Sequence, residues 1–381
     1  MKTQLSRRDW FRSTLSMTAG LTLGSSVIEQ LMAAPMSEAE KQYGFILNKP
    51  SLVRLGSNEN PYGPSPKARQ AMVDIMSEGN RYGFDAGREL VRIIAEREGV
   101  STDHVMLGAG SSELLCLSGM MAGLEGGSVL SSYPTFRLLM DYAAGFNARW
   151  DQVNLDDTLT HDLDKMLSAI KADTKLIFLC NPNNPTGTFV DKKKVRDFCI
   201  EASKRAIVFS DEAYIEFLDE AQQAPMTDLV RQGHNVIVSR TFSKIYGLAG
   251  MRIGYIIARP EIIANMKKRQ TGGIMNQAGV AAAKVSLGDM EFINMTRKLN
   301  AEARKHLTDY LDGKKWLYGK SSTNVVLFPA PKPGREILKQ TEERGFQIRV
   351  WDYQDREWCR VSIGTLDEMK RFTKAFDEVV S

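Results

Sequence analysis

Arg240-Thr-Phe-Ser-Lys-Ile-Tyr-Gly-Leu-Ala-Gly-Met-Arg252-Ile-Gly-Tyr255 is the stretch on which the reading of this chain turns. It lies between two apolar β-type runs, Val236-Ile-Val-Ser239 and Ile253-Gly-Tyr-Ile-Ile257. Between them a glycine-rich turn carries Lys244, hydroxyls on either side of it, and Arg252 eight residues later. A lysine in such a turn can form a Schiff base with a carbonyl, while Thr241, Ser243 and Arg252 are suited to hold a phosphate. An aldehyde and a phosphate on one small ring, as in pyridoxal phosphate, meet both requirements. Ser-Lys after a strand is also an ordinary surface turn, so the choice depends on what the rest of the chain offers.

Upstream, apolar and helical patterns alternate. Val105-Met-Leu107 reads as a strand, followed by Gly108-Ala-Gly-Ser-Ser-Glu113 and a helix from Leu114 to Ala122. Ser128–Ser131 ends at Tyr133-Pro134, Lys175–Cys180 ends at Asn181-Pro-Asn-Asn-Pro-Thr-Gly187, and Ala206–Ser210 ends at Asp211-Glu-Ala-Tyr214. Helices are expected over 66–76, 87–98 and 191–204. Near-continuous apolar strands separated by helices indicate an α/β fold with a mainly parallel sheet covered on both faces. Ligands of such sheets sit beyond the carboxyl ends of the strands, where each of these polar clusters falls. After about residue 289 a long charged helix leads into a smaller α+β piece. It has strands at Asn324–Phe328, Phe346–Val350 and Trp358–Ile363, and helices at 334–344 and 366–380. The expected organisation is a signal over 1–35, an extended arm over 36–85, a large domain over 86–288 and a small domain over 289–381.

At 381 residues the chain suits two closely packed domains, and 43% apolar with 25% charged residues is ordinary for a globular protein. Residues 1–35 supply half of the +4 net charge, which leaves too weak a basic bias for nucleic acid. Cys116, Cys180, Cys199 and Cys359 lack CxxC spacing and read as small core residues, with no metal expected. At the N-terminus, Ser6-Arg7-Arg8-Asp9-Trp10-Phe11-Arg12 precedes a 16-residue uncharged run rich in Gly, Ser and Thr, short for a membrane span. The paired arginines and following aromatics resemble a twin-arginine export signal, with cleavage near Ala34. That resemblance implies a folded, cofactor-loaded passenger, the Tat export machinery as a partner, and a periplasmic location; without a working signal the protein is cytoplasmic.

Each motif has two readings. Gly110, Ser111 and Ser112 open a helix, where the serines either cap it or receive a phosphate at the free N–H groups. Asn184 lies in a turn or donates to a cofactor ring hydroxyl. Asp211 ends a strand, where a carboxylate is seldom needed for packing; opposite a pyridine nitrogen it would keep that nitrogen protonated. Tyr214 could reach the same ring hydroxyl, and Tyr133 either stacks on the ring or belongs to the core. Arg360, within apolar alternation, requires an anion: a substrate carboxylate or a structural salt bridge. His104, His161 and His234 are assigned no chemistry.

Together these residues resemble fold-type I, pyridoxal-phosphate-dependent aminotransferases of class I/II, and within them the histidinol-phosphate aminotransferases. The matching pieces run in family order: Asn58-Glu-Asn-Pro-Tyr-Gly63, Arg81-Tyr-Gly83, Ala109–Glu113, Tyr133-Pro134, Asn184-Pro-Thr-Gly187, Asp211–Tyr214, Thr241-Phe-Ser-Lys244, Gly250–Gly254 and Arg360–Thr365. The resemblance implies pyridoxal 5'-phosphate bound to Lys244, which then moves the substrate proton as base. It implies Asp211 on the pyridine nitrogen, Asn184 and Tyr214 on the ring hydroxyl, and Tyr133 against the ring. Gly110, Ser111, Ser112, Thr241, Ser243 and Arg252 would surround the phosphate, joined by Tyr82 from the partner subunit of a homodimer with a shared active site. Arg360 and Asn324 would orient the substrate carboxylate near Tyr62. The implied reaction moves an amino group between an L-amino acid, or an amine like histidinol phosphate, and a 2-oxo acid such as 2-oxoglutarate. The alternatives are a decarboxylase related to threonine-phosphate decarboxylase and a non-catalytic cofactor-binding module. Thr271-Gly-Gly-Ile-Met-Asn276 differs from the family, which carries an aromatic after proline there.

Overall fold

The structure, a computed structural model, describes residues 52–381, so the expected signal and the first part of the arm lie outside the described residues. A seven-stranded sheet forms from β1 (Val105–Ala109), β2 (Ser128–Tyr133), β3 (Arg149–Asn154), β4 (Thr174–Cys180), β5 (Ile207–Asp211), β6 (Val236–Thr241) and β7 (Ile253–Ile257). Their order is β1-β7-β6-β5-β4-β2-β3, parallel throughout except for β7, which runs against both neighbours. The apolar runs follow from burial on two faces. Along β4, Leu176 and Phe178 join one core, with helices Ser111–Leu124 and Leu138–Gly145, while Ile177 and Leu179 join the other, with helix Phe84–Glu98.

The edge strand β3 escapes a reading based on apolar runs because it is largely exposed; its Arg149 and Asp151 pair on the surface instead. The helix expected from residue 87 begins a turn earlier, at Phe84. Helices Pro260–Lys267 and Gln277–Ser286 stand where the sequence reading named none.

Asp289 immediately precedes the long helix Met290–Gly313. Beyond it β8 (Val325–Pro329), β9 (Arg349–Tyr353) and β10 (Arg356–Ser362) form an antiparallel sheet in the order β9-β10-β8. This sheet packs with the last helix, Leu366–Val380, around Phe328, Cys359, Phe372 and Phe376. That helix opens with a reciprocal cap: Glu368 N–H donates to Thr365 Oγ1 at 3.2 Å and Thr365 N–H to Glu368 Oε2 at 2.7 Å.

The arm links the two sheets. Val53–Arg54 pairs with Phe346–Gln347, Ser362 N–H donates to Leu55 O at 2.8 Å, and Asn60 Nδ2 donates to Ile245 O at 2.7 Å. At the far end of the large sheet Cys180 faces Asp211, Asp211 faces Ser239, Thr241 faces Gly254 and Ala109 faces Ile253. The strand ends and their polar loops are thereby gathered at one edge.

Candidate active site

Lys244 sits in the turn after β6. Ser243 N–H donates to Thr241 Oγ1 at 3.1 Å, and Gly247 N–H to Lys244 O at 3.0 Å. Gly247 has a φ of +70°, and a Cβ there would drive into the backbone of Gly63, so only glycine lets the arm lie against the lysine turn. Burial pushes the Lys244 amine down to about 8, helped by Arg360 and opposed by Asp211 and Glu59. Its Nζ lies 5.5 Å from the centre of the Tyr214 ring. A lysine with so low a pKa keeps a substantial neutral fraction near pH 8 and can act as nucleophile or base.

Asp211 ends β5, buried, with its Oδ1 accepting the Ala213 N–H at 3.2 Å. Burial raises its carboxyl to about 7, against the Lys244 charge. No Lys or Arg among the described residues is within ion-pair distance of it. A cationic N–H from a ligand is the partner such a carboxyl lacks.

The opposite end of the cavity is built for an anion. Helix Ser111–Leu124 starts behind Gly110, whose φ is +75°, and neither serine hydroxyl caps it. The hydroxyls of Ser111 and Ser112 are therefore not used in capping and stand beside the helix N–H groups. The Arg252 guanidinium spans this point, 3.4 Å from Ser112 Oγ and 3.4 Å from Ser243 Oγ, with no carboxylate partner among the described residues. A Cβ on Gly110 would collide with that guanidinium, and one on Gly254 with the Ser111 N–H. Both glycines thus keep the anion cradle open.

Arg360 approaches from β10 and is 3% exposed. Its Nη1 donates to Asn184 Oδ1 at 2.9 Å and its Nη2 to Gly56 O, while its Nε has no partner among the described residues. Burial lowers its pKa to about 10. The structural salt bridge considered from sequence is absent among the described residues. Tyr214, pushed up by burial, accepts a hydrogen bond from Asn58 Nδ2 at 2.8 Å.

Asp211, Tyr214, Lys244, Asn184, Thr241, Ser243, Ser111, Ser112, Arg252 and Arg360 thus line one cavity of about 270 Å³. The other expected residues do not line it. Tyr133 turns away, its hydroxyl donating to Asp352 O at 3.1 Å and its ring packed edge-on against Trp150 and Tyr353. Asn324 uses its amide to hold the arm, donating to Asn58 O at 3.1 Å and Glu59 O at 3.3 Å. Tyr62 is half-buried beside the cavity residues' arm, and Tyr82 is 78% exposed. Among the other lining residues, Asn58, Glu59, Phe136 and Arg349 were given no role from sequence. Phe136 was legible as the next aromatic in Tyr133-Pro-Thr-Phe136, and Asn58 and Glu59 as part of the polar arm. A larger, mostly apolar groove of about 500 Å³ between helix Phe84–Glu98, β1 and residues 270–275 shares no lining residue with this cavity.

Residues 50–376 match the family described as aminotransferase class I and II. The chain is 35% identical over 350 residues to histidinol-phosphate aminotransferase 1 of Cupriavidus pinatubonensis, covering 91% of this chain and 92% of the relative. It is also 35% identical to the histidinol-phosphate aminotransferase of Methanothermobacter thermautotrophicus, over 91% and 93% of the two chains. Among solved structures, histidinol-phosphate aminotransferase from Sinorhizobium meliloti in complex with pyridoxal-5'-phosphate superposes with a TM-score of 0.80 at 26% identity, covering 95% of this chain and 99% of the other. With its lysine, lone buried acid and anion cradle already in one cavity, the chain belongs to the class I and II aminotransferase family.

Proposed function

We propose that this pyridoxal-phosphate-dependent aminotransferase takes amino donors bearing an anionic group, of the acidic amino-acid or histidinol-phosphate kind, and passes the amino group to a 2-oxo acid such as 2-oxoglutarate. The observation that carries the substrate reading is a pair of arginines with no acid partner among the described residues. Arg349 and Arg360 stand directly opposite each other on β9 and β10, and both line the cavity. Like charges so placed repel, and an anion between them relieves the cost.

The cofactor fits what the residues lack. Arg252, the serines and the helix N-terminus suit its phosphate, Asp211 its pyridine nitrogen, and Lys244 its aldehyde. When bound, pyridoxal phosphate supplies that aldehyde and a ring that takes up the electrons left as the donor loses its α-proton. Lys244 would attack as the neutral amine and, once released, carry the proton from the donor's α-carbon. Asp211 would hold the ring nitrogen protonated. Asn184 and Tyr214 would donate to the ring oxygen, Phe136 would cover one ring face in place of Tyr133, and Arg360 would take the donor's anion by its fork.

Mixing the holoenzyme with each amino acid and with histidinol phosphate tests this directly. True donors abolish the cofactor's visible band and release the matching oxo acid, and Lys244→Ala cuts the rate ~10⁴-fold or more. Carbon dioxide without an oxo acid would point to a decarboxylase, and a band that no donor changes to a binding module.

Tyr82, Val73, Met76 and Phe84 are exposed on the segment 66–98, which supports a homodimer in which Tyr82 reaches the partner's phosphate. Light scattering should give twice the chain mass, and Tyr82→Phe should weaken cofactor binding. The Arg7-Arg8 sequence supports export by the twin-arginine route to the periplasm. Arg7→Lys with Arg8→Lys should leave the enzyme in the cytoplasmic fraction; unchanged fractionation would end that part.

A further inference from the structure

Asn58 is 1% exposed and holds a φ of +55°, a left-handed conformation that few side chains other than asparagine, aspartate and glycine accept. It belongs to the arm, yet its amide sits behind two residues of the large-sheet site. Its Nδ2 lies 2.8 Å from Tyr214 Oη and 3.4 Å from Asn184 Oδ1. Its Oδ1 lies 2.9 Å from Ser362 Oγ on β10, and its backbone N–H donates to that same oxygen at 2.8 Å.

The polarity of this network follows from one member that can only donate. Arg360 Nη1 donates to the side chain of Asn184 at 2.9 Å, so the atom of Asn184 facing it is the oxygen. Asn58 turns toward that same oxygen, which requires its NH₂ there rather than its own oxygen. The NH₂ then also faces Tyr214, whose oxygen must accept. Ser362 closes the other end: its oxygen takes the Asn58 N–H, and its hydroxyl proton goes to Asn58 Oδ1. With its acceptor side occupied, Tyr214 has its single proton left for a partner in the cavity. Asn184 likewise has its NH₂ left over.

We infer that Asn58 is a positioning residue that makes Tyr214 an obligate hydrogen-bond donor toward the ring oxygen of the bound cofactor. The inference rests on the cofactor reading above and adds to it. A tyrosine without Asn58 would be free to turn its proton away from the cavity, and the ring oxygen would lose a donor. The hydrogen bond from Asn58 also makes the phenol more acidic, and so a stronger donor, than burial alone would leave it.

The test uses full-length protein loaded with pyridoxal phosphate and reads the pH midpoint of the cofactor's visible absorption change. A ring oxygen deprived of a donor holds more tightly the proton it shares with the lysine nitrogen, so the midpoint rises. Asn58→Gly keeps the left-handed backbone and deletes the amide. Asn58→Asp keeps the shape and replaces the donor with an acceptor. Each should raise the midpoint by about one unit, as should Tyr214→Phe, the size expected for one such hydrogen bond. Added to Tyr214→Phe, Asn58→Gly should move the midpoint no further, since both remove the same donor. A purely structural role would lower the melting temperature and leave the midpoint alone. Unchanged midpoints in both Asn58 variants, or a full Asn58→Gly shift persisting without the Tyr214 hydroxyl, overturn the assignment and leave the cofactor reading standing. A wild type that binds no pyridoxal phosphate ends both.

Discussion

Two groups of buried charge meet at the adjacent residues Glu212 and Asp211, the first group closed and the second open. Arg240, near the end of β6, is held by Glu98 Oε1 at 2.6 Å and Glu212 Oε2 at 3.0 Å, and Glu212 also accepts the Met226 N–H at 2.8 Å. Burial opposes the Arg240 charge, yet Tyr255, Glu212 and Glu98 hold its pKa above the ordinary value. At the cavity the pattern inverts. Asp211 adjoins Glu212 but has no base among the described residues, and Arg360 is buried like Arg240 but has no acid among them. Closed charges tie strands β5 and β6 to helix Phe84–Glu98 and set the scaffold. Open charges are the ones a ligand completes. Burial alone does not mark a functional group; at this site it is burial of a charge without a counter-charge that does.

The largest expected effects come from emptying each group in turn. Arg240→Met leaves Glu98 and Glu212 buried without a counter-ion and should cost about 3–5 kcal/mol in urea unfolding. Arg360→Met removes a charge that no acid among the described residues balances, so stability should hold or rise. Its kcat/KM for anionic donors should nevertheless fall about 10²–10³-fold, the loss of a desolvated charge pair with the substrate. Equal destabilisation in the two variants would mean that Arg360 is structural after all.

The scaffold was legible in the sequence where burial was complete. Strands such as β4 and β6, covered on both faces, read as unbroken apolar runs, and the polar clusters at their ends announced the site. The exposed edge strand β3 gave no such run. Motif reading brought ten residues of the cavity together but chose Tyr133, the aromatic nearest the strand, over Phe136, the one that lines it. Local sequence could not separate Arg240 from Arg360, since each is an arginine in an apolar strand and the acids that distinguish them are far off in the chain. Nor could it find the role of Asn58, whose partners Asn184, Tyr214 and Ser362 lie 126, 156 and 304 residues away.

Asp211 and Glu212 sharpen the same contrast through pH. In the apoprotein the Asp211 carboxyl titrates at about 7, above its ordinary 3.8, because burial disfavours its charge. The folded state therefore binds more protons than the unfolded one between those values. The associated stability is complete below about pH 4 and lost as the pH rises through 7. Asp211→Asn should match the wild-type apoprotein near pH 4 and exceed its stability at pH 8 by on the order of 2–4 kcal/mol, while weakening cofactor binding and activity. Glu212→Gln should do the reverse, destabilising at pH 8 because Arg240 loses an acid. If both variants destabilise the apoprotein alike at pH 8, the distinction between open and closed acids fails at this strand end.

The smallest effect should come from Arg349, the exposed member of the opposed pair. It lines the cavity mouth without an acid among the described residues, but water screens it as it does not screen Arg360. Arg349→Gln should therefore leave folding unchanged and reduce kcat/KM for donors with a second anionic group by roughly 10-fold or less, fading as salt is raised. A donor such as alanine, whose single carboxylate the buried Arg360 already takes, should be unaffected. The ratio of the two kcat/KM values, measured across ionic strength, thus separates a charge that selects the donor from one that merely attracts anions. Loss of activity toward both donors in equal measure would place Arg349 in the anchoring of the common carboxylate instead, and the selection would have to come from elsewhere in the cavity.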